Sequence, residues 1–352
     1  MRKPTTLKDV AGALGMHKST VSLALSGKGT ISAETRKRVS QVAKELGYEP
    51  NVLAQRLAGG VETATVSILS GVLDVGLATE KILLIQQELS AHGFEVPLYT
   101  WHSHSASKEN SERQAAQVRN LCRQRPRAIV CAVQRLPNAI LQELDAYQAR
   151  GGVVISYDIE VPYEWDQIVF DREDNAYRAA KYLLEAGHRK LGLGMSHLRE
   201  PVSPTDPQAH RLQGFQRALA EYDVPFRPEW LFHTSTYERG GVELAKQFLV
   251  LRDRPTALAV VNDYMAMALM NELTQAGVRL PDDLSLIGHD NQPIATYCPV
   301  PLTTLTQPTE KIAQAVVAQL WKRLEERELP PQRISIESEL VERQSVTRPK
   351  EN

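Results

Sequence analysis

The chain has 352 residues, with 41 Lys and Arg against 42 Asp and Glu for a formal charge of -1, 42% apolar residues and 3 cysteines. That length allows two or three compact units with enough apolar residues for a core in each, which excludes a disordered or fibrous protein. Uninterrupted apolar stretches such as 128–133 and 257–261 fall far short of the ~20 residues of a membrane helix. Met1-Arg2-Lys3-Pro4 leads into no apolar leader, so secretion is not expected. Cys122, Cys131 and Cys298 are odd in number and lack C-x-x-C spacing, which fits a reducing cytoplasm better than a disulfide framework or a zinc site.

The near-zero charge divides unevenly. Residues 1–60 hold ten basic and four acidic side chains, a charge of +6, and the remainder carries -7. On charge alone, a polyanionic partner for the first segment and a plain solvated helical face stand level. Leu7, Val10, Ala11 and Leu14 recur at helical spacing after Thr5-Thr6, and Gly15 stops them. A second helix over 17–25 turns Val21 and Leu25 inward and ends at Gly27 and Gly29. A third opens at Ser32 as N-cap, with Glu34 in its first turn and Val39, Val42, Ala43 and Leu46 as its buried stripe, before Gly47. Two short helices joined by a glycine-containing turn make a helix-turn-helix, whose second helix can enter a major groove and offer Lys18 and Ser19 to base edges. His17, at the start of that helix, serves equally well as a cap or as a contact. Between Pro50 and Gly59-Gly60 lie eight residues, too few for a helix that is stable alone. Either this stretch is a linker or it becomes helical on DNA, where Leu57, with Leu53 as competitor, would wedge into the minor groove.

Four motifs then agree in order and spacing: Thr6-Leu7-Lys8-Asp9-Val10-Ala11, Ser19-Thr20-Val21-Ser22, Ile31-Ser32-Ala33-Glu34-Thr35-Arg36 and Leu46-Gly47-Tyr48-Glu49-Pro50-Asn51. In this register the chain resembles the head of the LacI/GalR family of bacterial transcription regulators. The resemblance implies major-groove reading by Lys18, Ser19 and Ser22 beside His17, phosphate contacts from Thr6, Thr20 and Asn51, and minor-groove insertion of Ala54 and Leu57. Three positions depart from the family's habit: His17 stands where Ser is common, Leu23 where Arg is, and Ser26-Gly27 where Asn-Gly is. Loss of that Arg removes a base or phosphate contact.

From Thr65 onward, β-branched runs at 65–69, 95–99, 128–133, 153–156, 191–195, 258–261 and 284–287 alternate with helical stretches at 80–91, 112–123, 139–149, 175–185, 210–221, 241–251, 263–275 and 310–326. This is the pattern of βαβ units and a largely parallel sheet, and its length favours two doubly wound lobes over one sheet. Ligands of open α/β sheets bind beyond the carboxyl ends of the strands, which singles out Asn262 and Asp290, with Arg211. Asn and Asp at strand-to-helix turns also cap the following segment, so capping competes with ligand contact at both positions.

The resemblance extends over the body through Gly187-His188-Arg189-Lys190, His210-Arg211-Leu212-Gln213-Gly214-Phe215, Asn262-Asp263-Tyr264-Met265-Ala266, Leu280-Pro281-Asp282-Asp283 and Pro301-Leu302-Thr303-Thr304-Leu305. It implies an α/β body like a periplasmic sugar-binding protein, following the all-α head. Effector contacts, usually to a sugar or nucleobase, would come from Arg211, Asn262 and Asp290, with Asp158 from the other lobe. Departures touch the same region: His289 and Asn291 flank Asp290 where an aromatic and a second Asp are common. Thr236, with Tyr237 beside it, stands where the family often has an aromatic. The expected organisation is a helix-turn-helix at 1–50, a hinge at 51–60, an effector and dimerisation body at 61–345 and a tail at 346–352. The lobes are expected at 61–160 with 292–328 and at 161–291 with 329–345, the chain crossing near 158–163, 291–301 and 326–331.

Two rival classes fit less well. No nucleophile elbow, P-loop, His-Glu-x-x-His or complete dinucleotide fingerprint argues for an enzyme, and His102-Ser103-His104 lacks a third metal ligand. A transport binding protein would carry a leader and no basic head. The expectation is a cytoplasmic homodimeric repressor of a near-palindromic operator, controlled by a small-molecule effector, most simply a sugar, with no cofactor.

Overall fold

The computed structural model describes residues 5–26, 31–48, 64–71, 73, 76–100, 108–133, 136–197 and 206–350. Gly27, the hinge with Asn51, Ala54 and Leu57, and His102-Ser103-His104 lie outside them. The chain divides into two compact units, Met1–Thr63 and Ala64–Asn352.

In the first unit, α1 (Leu7–Leu14), α2 (Lys18–Ser26) and α3 (Ala33–Glu45) enclose a core of Val10, Ala11, Leu14, Val21, Ala24, Val39 and Ala43. So small a core leans on its helix ends. The Thr6 hydroxyl accepts from Asp9 N at 3.4 Å while the Asp9 carboxylate accepts from Thr6 N at 2.8 Å, a reciprocal capping box. Ser32 accepts from Thr35 N at 3.2 Å. Gly15 ends α1 in the left-handed region at φ +62°, where a side chain would be strained. The predicted stripe of α3 is only partly realised: the helix stops at Glu45, and Leu46, beyond its last turn, is 41% exposed.

The second unit is built from two six-stranded sheets. Its elements are β1 (Val66–Ser70), α4 (Gly76–Ala91), β2 (Leu98–Thr100), α5 (Lys108–Arg123), β3 (Ala128–Ala132), α6 (Asn138–Ala149), β4 (Val154–Asp158), β5 (Asp166–Phe170), α7 (Arg172–Glu185), β6 (Leu191–Ser196), α8 (Pro207–Glu221), β7 (Leu231–Thr234), α9 (Tyr237–Val250), β8 (Ala257–Val260), α10 (Asp263–Gln275), β9 (Ser285–Asp290), β10 (Thr303–Thr306), α11 (Thr309–Glu325), β11 (Arg333–Ile336) and β12 (Leu340–Val341). Lobe one carries the sheet β11-β5-β4-β3-β1-β2, parallel throughout; lobe two carries β12-β10-β9-β8-β6-β7, parallel except for β12. β1, β3 and β4 are buried along their whole length, as strands covered by helices on both faces must be.

The lobe boundaries differ from the expected ones. β5 pairs with β4, opposing Val169 to Asp158, so lobe one runs on through Phe170 instead of ending at 160. β10 pairs with β9 and belongs to lobe two, and β11 pairs with β5 and returns to lobe one. The crossings therefore lie between β5 and α7, β10 and α11, and β11 and β12. A buried clamp accounts for the first difference. Asp166, at the start of β5, accepts from Arg323 Nε at 2.6 Å, Gln319 Nε2 at 2.9 Å and Gln332 N at 2.9 Å, tying α11 and the β11 approach to this strand.

Candidate DNA-binding surface and effector site

On the head, the His17 carbonyl accepts from Thr20 N at 3.0 Å and Val21 N at 3.2 Å, so His17 stands at the N-cap position of α2. Its ring Nδ1 meets Ser19 Oγ at 2.8 Å. The side chains of His17, Lys18 and Ser19 are exposed, and those of Thr20 and Ser22 are half-buried. The Thr6 hydroxyl is engaged in its capping box, where it also donates to Asp9 Oδ2 at 2.6 Å. Leu23, 41% exposed, puts an apolar side chain on the same helix.

In the body, five charged side chains share one field between the lobes. Asp158 is the last residue of β4 and Asp290 the last of β9, both at strand carboxyl ends and both in the left-handed region, at φ +82° and +100°. A residue other than glycine held there costs on the order of 1–3 kcal/mol, and such positions cluster at binding sites. Lys81 of α4 is bonded to Asp158 through its ammonium, and both are nearly inaccessible. Arg172, first residue of α7 and 5% exposed, donates from Nη1 to the Asp158 carbonyl at 2.9 Å. Arg211 is half-buried on α8. Burial pushes the Asp290 carboxyl up, against the pull of Arg211, Arg172 and Lys81. Burial and the neighbouring charge of Arg172 push Arg211 down to about 10, so it stays cationic.

His289 points the same way in sequence but carries no charge here. Burial and the Arg211 charge push its ring down to about 4, and Nδ1 hydrogen-bonds the Val260 carbonyl at 2.9 Å, which makes Nδ1 the protonated nitrogen and leaves a lone pair on Nε2. Asn262 caps α10, its Oδ1 accepting from Met265 N at 2.8 Å, so one end of its amide has the structural duty weighed above. Thr236 is exposed at the start of α9 without a side-chain cap bond; Tyr237, next to it at φ +56°, is the residue whose phenol acts on Arg211. Asn291 belongs to a supporting network, its Oδ1 accepting from Arg343 Nη2 at 2.7 Å.

Glycines set the approach of the helices that carry these groups. A Cβ at Gly214 would collide with the Glu173 carbonyl, so α8 lies against the first turn of α7 and brings Arg211 beside Arg172. Sequence reasoning missed Lys81, Arg172 and Asn175. Lys81 did leave a signal: Leu77, Ile82, Ile85 and Leu89 form the buried stripe of α4, and a lysine four residues after Leu77 falls on it. Arg172 left none, because the strand preceding it was not recognised.

A helix-turn-helix head with an exposed basic recognition helix, followed by a two-lobed α/β body with polar groups gathered at its strand ends, defines a DNA-binding regulator with a ligand-binding body. The model of the bacterial regulatory proteins of the lacI family matches residues 6–51, and that of the periplasmic binding protein-like domain matches 180–346. The repressor PurR of Yersinia pestis bv. Antiqua is 29% identical over 341 residues, 97% of this chain and 96% of that protein. Among solved structures, the lac repressor dimer bound to operator and the anti-inducer ONPF superposes with a TM-score of 0.77 at 24% identity, over 98% of this chain and all of that one. A complex of the regulator CelR with cellobiose superposes with a TM-score of 0.69 at 23% identity, over 97% of this chain and all of that one. The chain belongs to the LacI/GalR family of bacterial transcription regulators. Among the described residues, no helix is long and apolar enough to cross a membrane.

Proposed function

We propose that the protein is a cytoplasmic repressor that binds a near-palindromic operator as a homodimer and changes its operator affinity when a small molecule, a sugar or sugar derivative, occupies the space between the lobes. The observation that carries this reading is the meeting of Asp158 from lobe one with His289 and Asp290 from lobe two at the carboxyl ends of their strands, beside Arg211 of α8. A ligand touching both lobes biases their relative orientation by its differential affinity for the two arrangements. The head at 1–50 reads DNA through His17, Lys18, Ser19, Thr20 and Ser22, with Thr6 and Asn51 on phosphates. The hinge at 51–60 inserts Ala54 and Leu57 into the minor groove, and the body at 61–345 senses the effector through Asp158, Arg211, Asn262, His289 and Asp290, with Tyr237 replacing Thr236. Support for a sugar comes from CelR, whose structure holds cellobiose, and from a LacI-family regulator of Enterococcus faecium with bound ribose.

The test is operator binding by fluorescence anisotropy, on a duplex selected from a random pool, with and without each member of a carbohydrate library. Leu57→Ala is expected to weaken operator binding about tenfold or more, with effector binding intact. An unchanged operator Kd removes Leu57 as the wedge, and a wild type deaf to the whole library removes the sensor.

A further inference from the structure

The three crossings between the lobes are not alike. The second, which leaves β10, and the third, which runs into β12, lie side by side and are bonded to each other. Thr306 N donates to the Glu339 carbonyl at 2.8 Å, Glu339 N to Thr306 Oγ1 at 2.8 Å, and Ser338 Oγ to the Thr306 carbonyl at 2.7 Å. These bonds prolong the antiparallel ladder in which β10 opposes Leu305 to Leu340. Ser338 is 2% exposed, so water cannot take the place of the bond its hydroxyl makes. The second crossing also begins at the cleft: Thr306 stands opposite Asp290 in the ladder of β9 and β10, and Gln307 N donates to the Asp290 carbonyl at 3.3 Å.

The first crossing, from Phe170 to Arg172, stands apart. Between it and the third lies an open cavity of about 650 Å³, walled by Asp171, Glu173 and Asp174 on one side and by Ser335 and Glu337 on the other. Arg178 of α7, 35% exposed along its side chain, reaches across, its Nη1 donating to the Ser338 carbonyl at 2.7 Å. A half-exposed guanidinium can exchange a carbonyl for water, which a buried ladder cannot do.

Resting on the reading of a sensor whose lobes move, we infer that the lobes turn about the bonded pair of crossings as a single pin, closed by the Ser338 hydroxyl, while the first crossing swings beside the open cavity with Arg178 as its stay. Turning about the pair keeps its hydrogen bonds and changes volume only where the structure is already open; bending at the pair would break those bonds inside a packed interior. An effector that meets Asp290 acts on a residue bonded directly to the pin. Ser338 and Arg178 are positioning residues, since they set the angle between the lobes and belong to the crossings and not to the polar cluster in the cleft.

Spin-label distances across the lobes of the full chain test this, by pulsed double resonance between labels on Gln142→Cys of α6 and Lys246→Cys of α9, both exposed. Cys122, Cys131 and Cys298 are buried and escape labelling, and dilution with unlabelled chain removes distances between copies. One distance is expected to dominate in the wild type. Ser338→Ala is expected to raise the share of a second distance about fivefold, the effect of one lost hydrogen bond on a two-state balance. Thr306→Val, which removes the acceptor of Glu339 N, takes its place if Ser338→Ala fails to fold. Ser345→Ala is the control: it removes an equally buried hydroxyl, bonded to the Leu286 carbonyl at 2.6 Å within lobe two, and is expected to lower Tm without moving the distances. Arg178→Ala is expected to populate the second distance by itself. A wild-type distribution in Ser338→Ala, or a Ser345→Ala distribution altered as much, overturns the pin; a wild-type distribution in Arg178→Ala overturns the stay. Failure of the sensor reading shows differently, as an operator affinity that no bound compound alters.

Discussion

The head exposes its cation and the body buries its own. Lys18 lies open to solvent on α2 beside His17 and Ser19, whereas Lys81 and Arg172 are 2% and 5% exposed. The difference follows from what each must meet. A surface cation stays hydrated and attracts a polyanion from a distance, and salt screens it; a buried one has lost its water and must be satisfied by a partner of fixed geometry. One chain thus holds two kinds of recognition, one long-ranged and tolerant of position, the other short-ranged and exacting.

Salt separates the two most strongly. Raising salt from 50 to 200 mM is expected to weaken operator binding by about a thousandfold or more if six or so phosphates are contacted. Effector affinity, set by buried groups, is expected to change far less. Anisotropy and calorimetry across the same salt series check this, and parallel losses would erase the contrast. Next in size, Arg211→Ala is expected to weaken effector binding about tenfold to a hundredfold while leaving operator affinity without effector unchanged. A wild-type effector response in this variant would remove Arg211 from the site.

How far these features could be read beforehand differs in the same way. The head was legible because its signals are local: Thr6, Gly15 and Ser32 each act within four residues, and the structure places all three at the expected helix ends. The body's alternation was legible where strands are apolar runs, as in Ala128–Ala132. It failed at β5, which opens on Asp166 and Gln167, two buried polar residues: the first is held by Arg323, 157 positions away, and the second by the Val161 and Tyr163 carbonyls of the loop just before it, neither of which an apolar run would mark. Missing β5 misplaced the lobe boundary and hid Arg172. Lys81 is marked by its place on the apolar stripe of α4, but its pairing is not, since its partner Asp158 lies 77 positions away. Asn262 and Asp290 could be marked because strand carboxyl ends can be read in a sequence, with capping as the competing duty at both, and the structure shows that duty at Asn262.

Two smaller effects sharpen the comparison. His289 titrates at about 4 when folded, below its ordinary 6.5. As pH falls from 6.5 towards 4, the unfolded chain takes up a proton that the folded chain refuses, so this ring lowers stability across that window and has no such effect above it. His289→Gln is expected to flatten the acid side of the stability profile by on the order of 2 kcal/mol relative to wild type, measured by urea unfolding between those pH values; an unchanged profile would mean that the ring charges freely. In the head, Thr6→Ala removes the capping box and is expected to cost ~1 kcal/mol, with Thr6→Ser restoring most of it. If operator binding stays low in Thr6→Ser while stability recovers, Thr6 contacts DNA beyond its role as a cap.

The central claim is that the buried polar cluster governs what the basic head does. Its most direct test is operator affinity of the full chain, wild type against Arg211→Ala, measured by anisotropy across sugars, sugar acids and sugar phosphates. At least one compound is expected to shift the wild-type Kd about tenfold or more and to leave the variant unmoved. A wild type that responds to none of them, or a variant that responds equally, would contradict it.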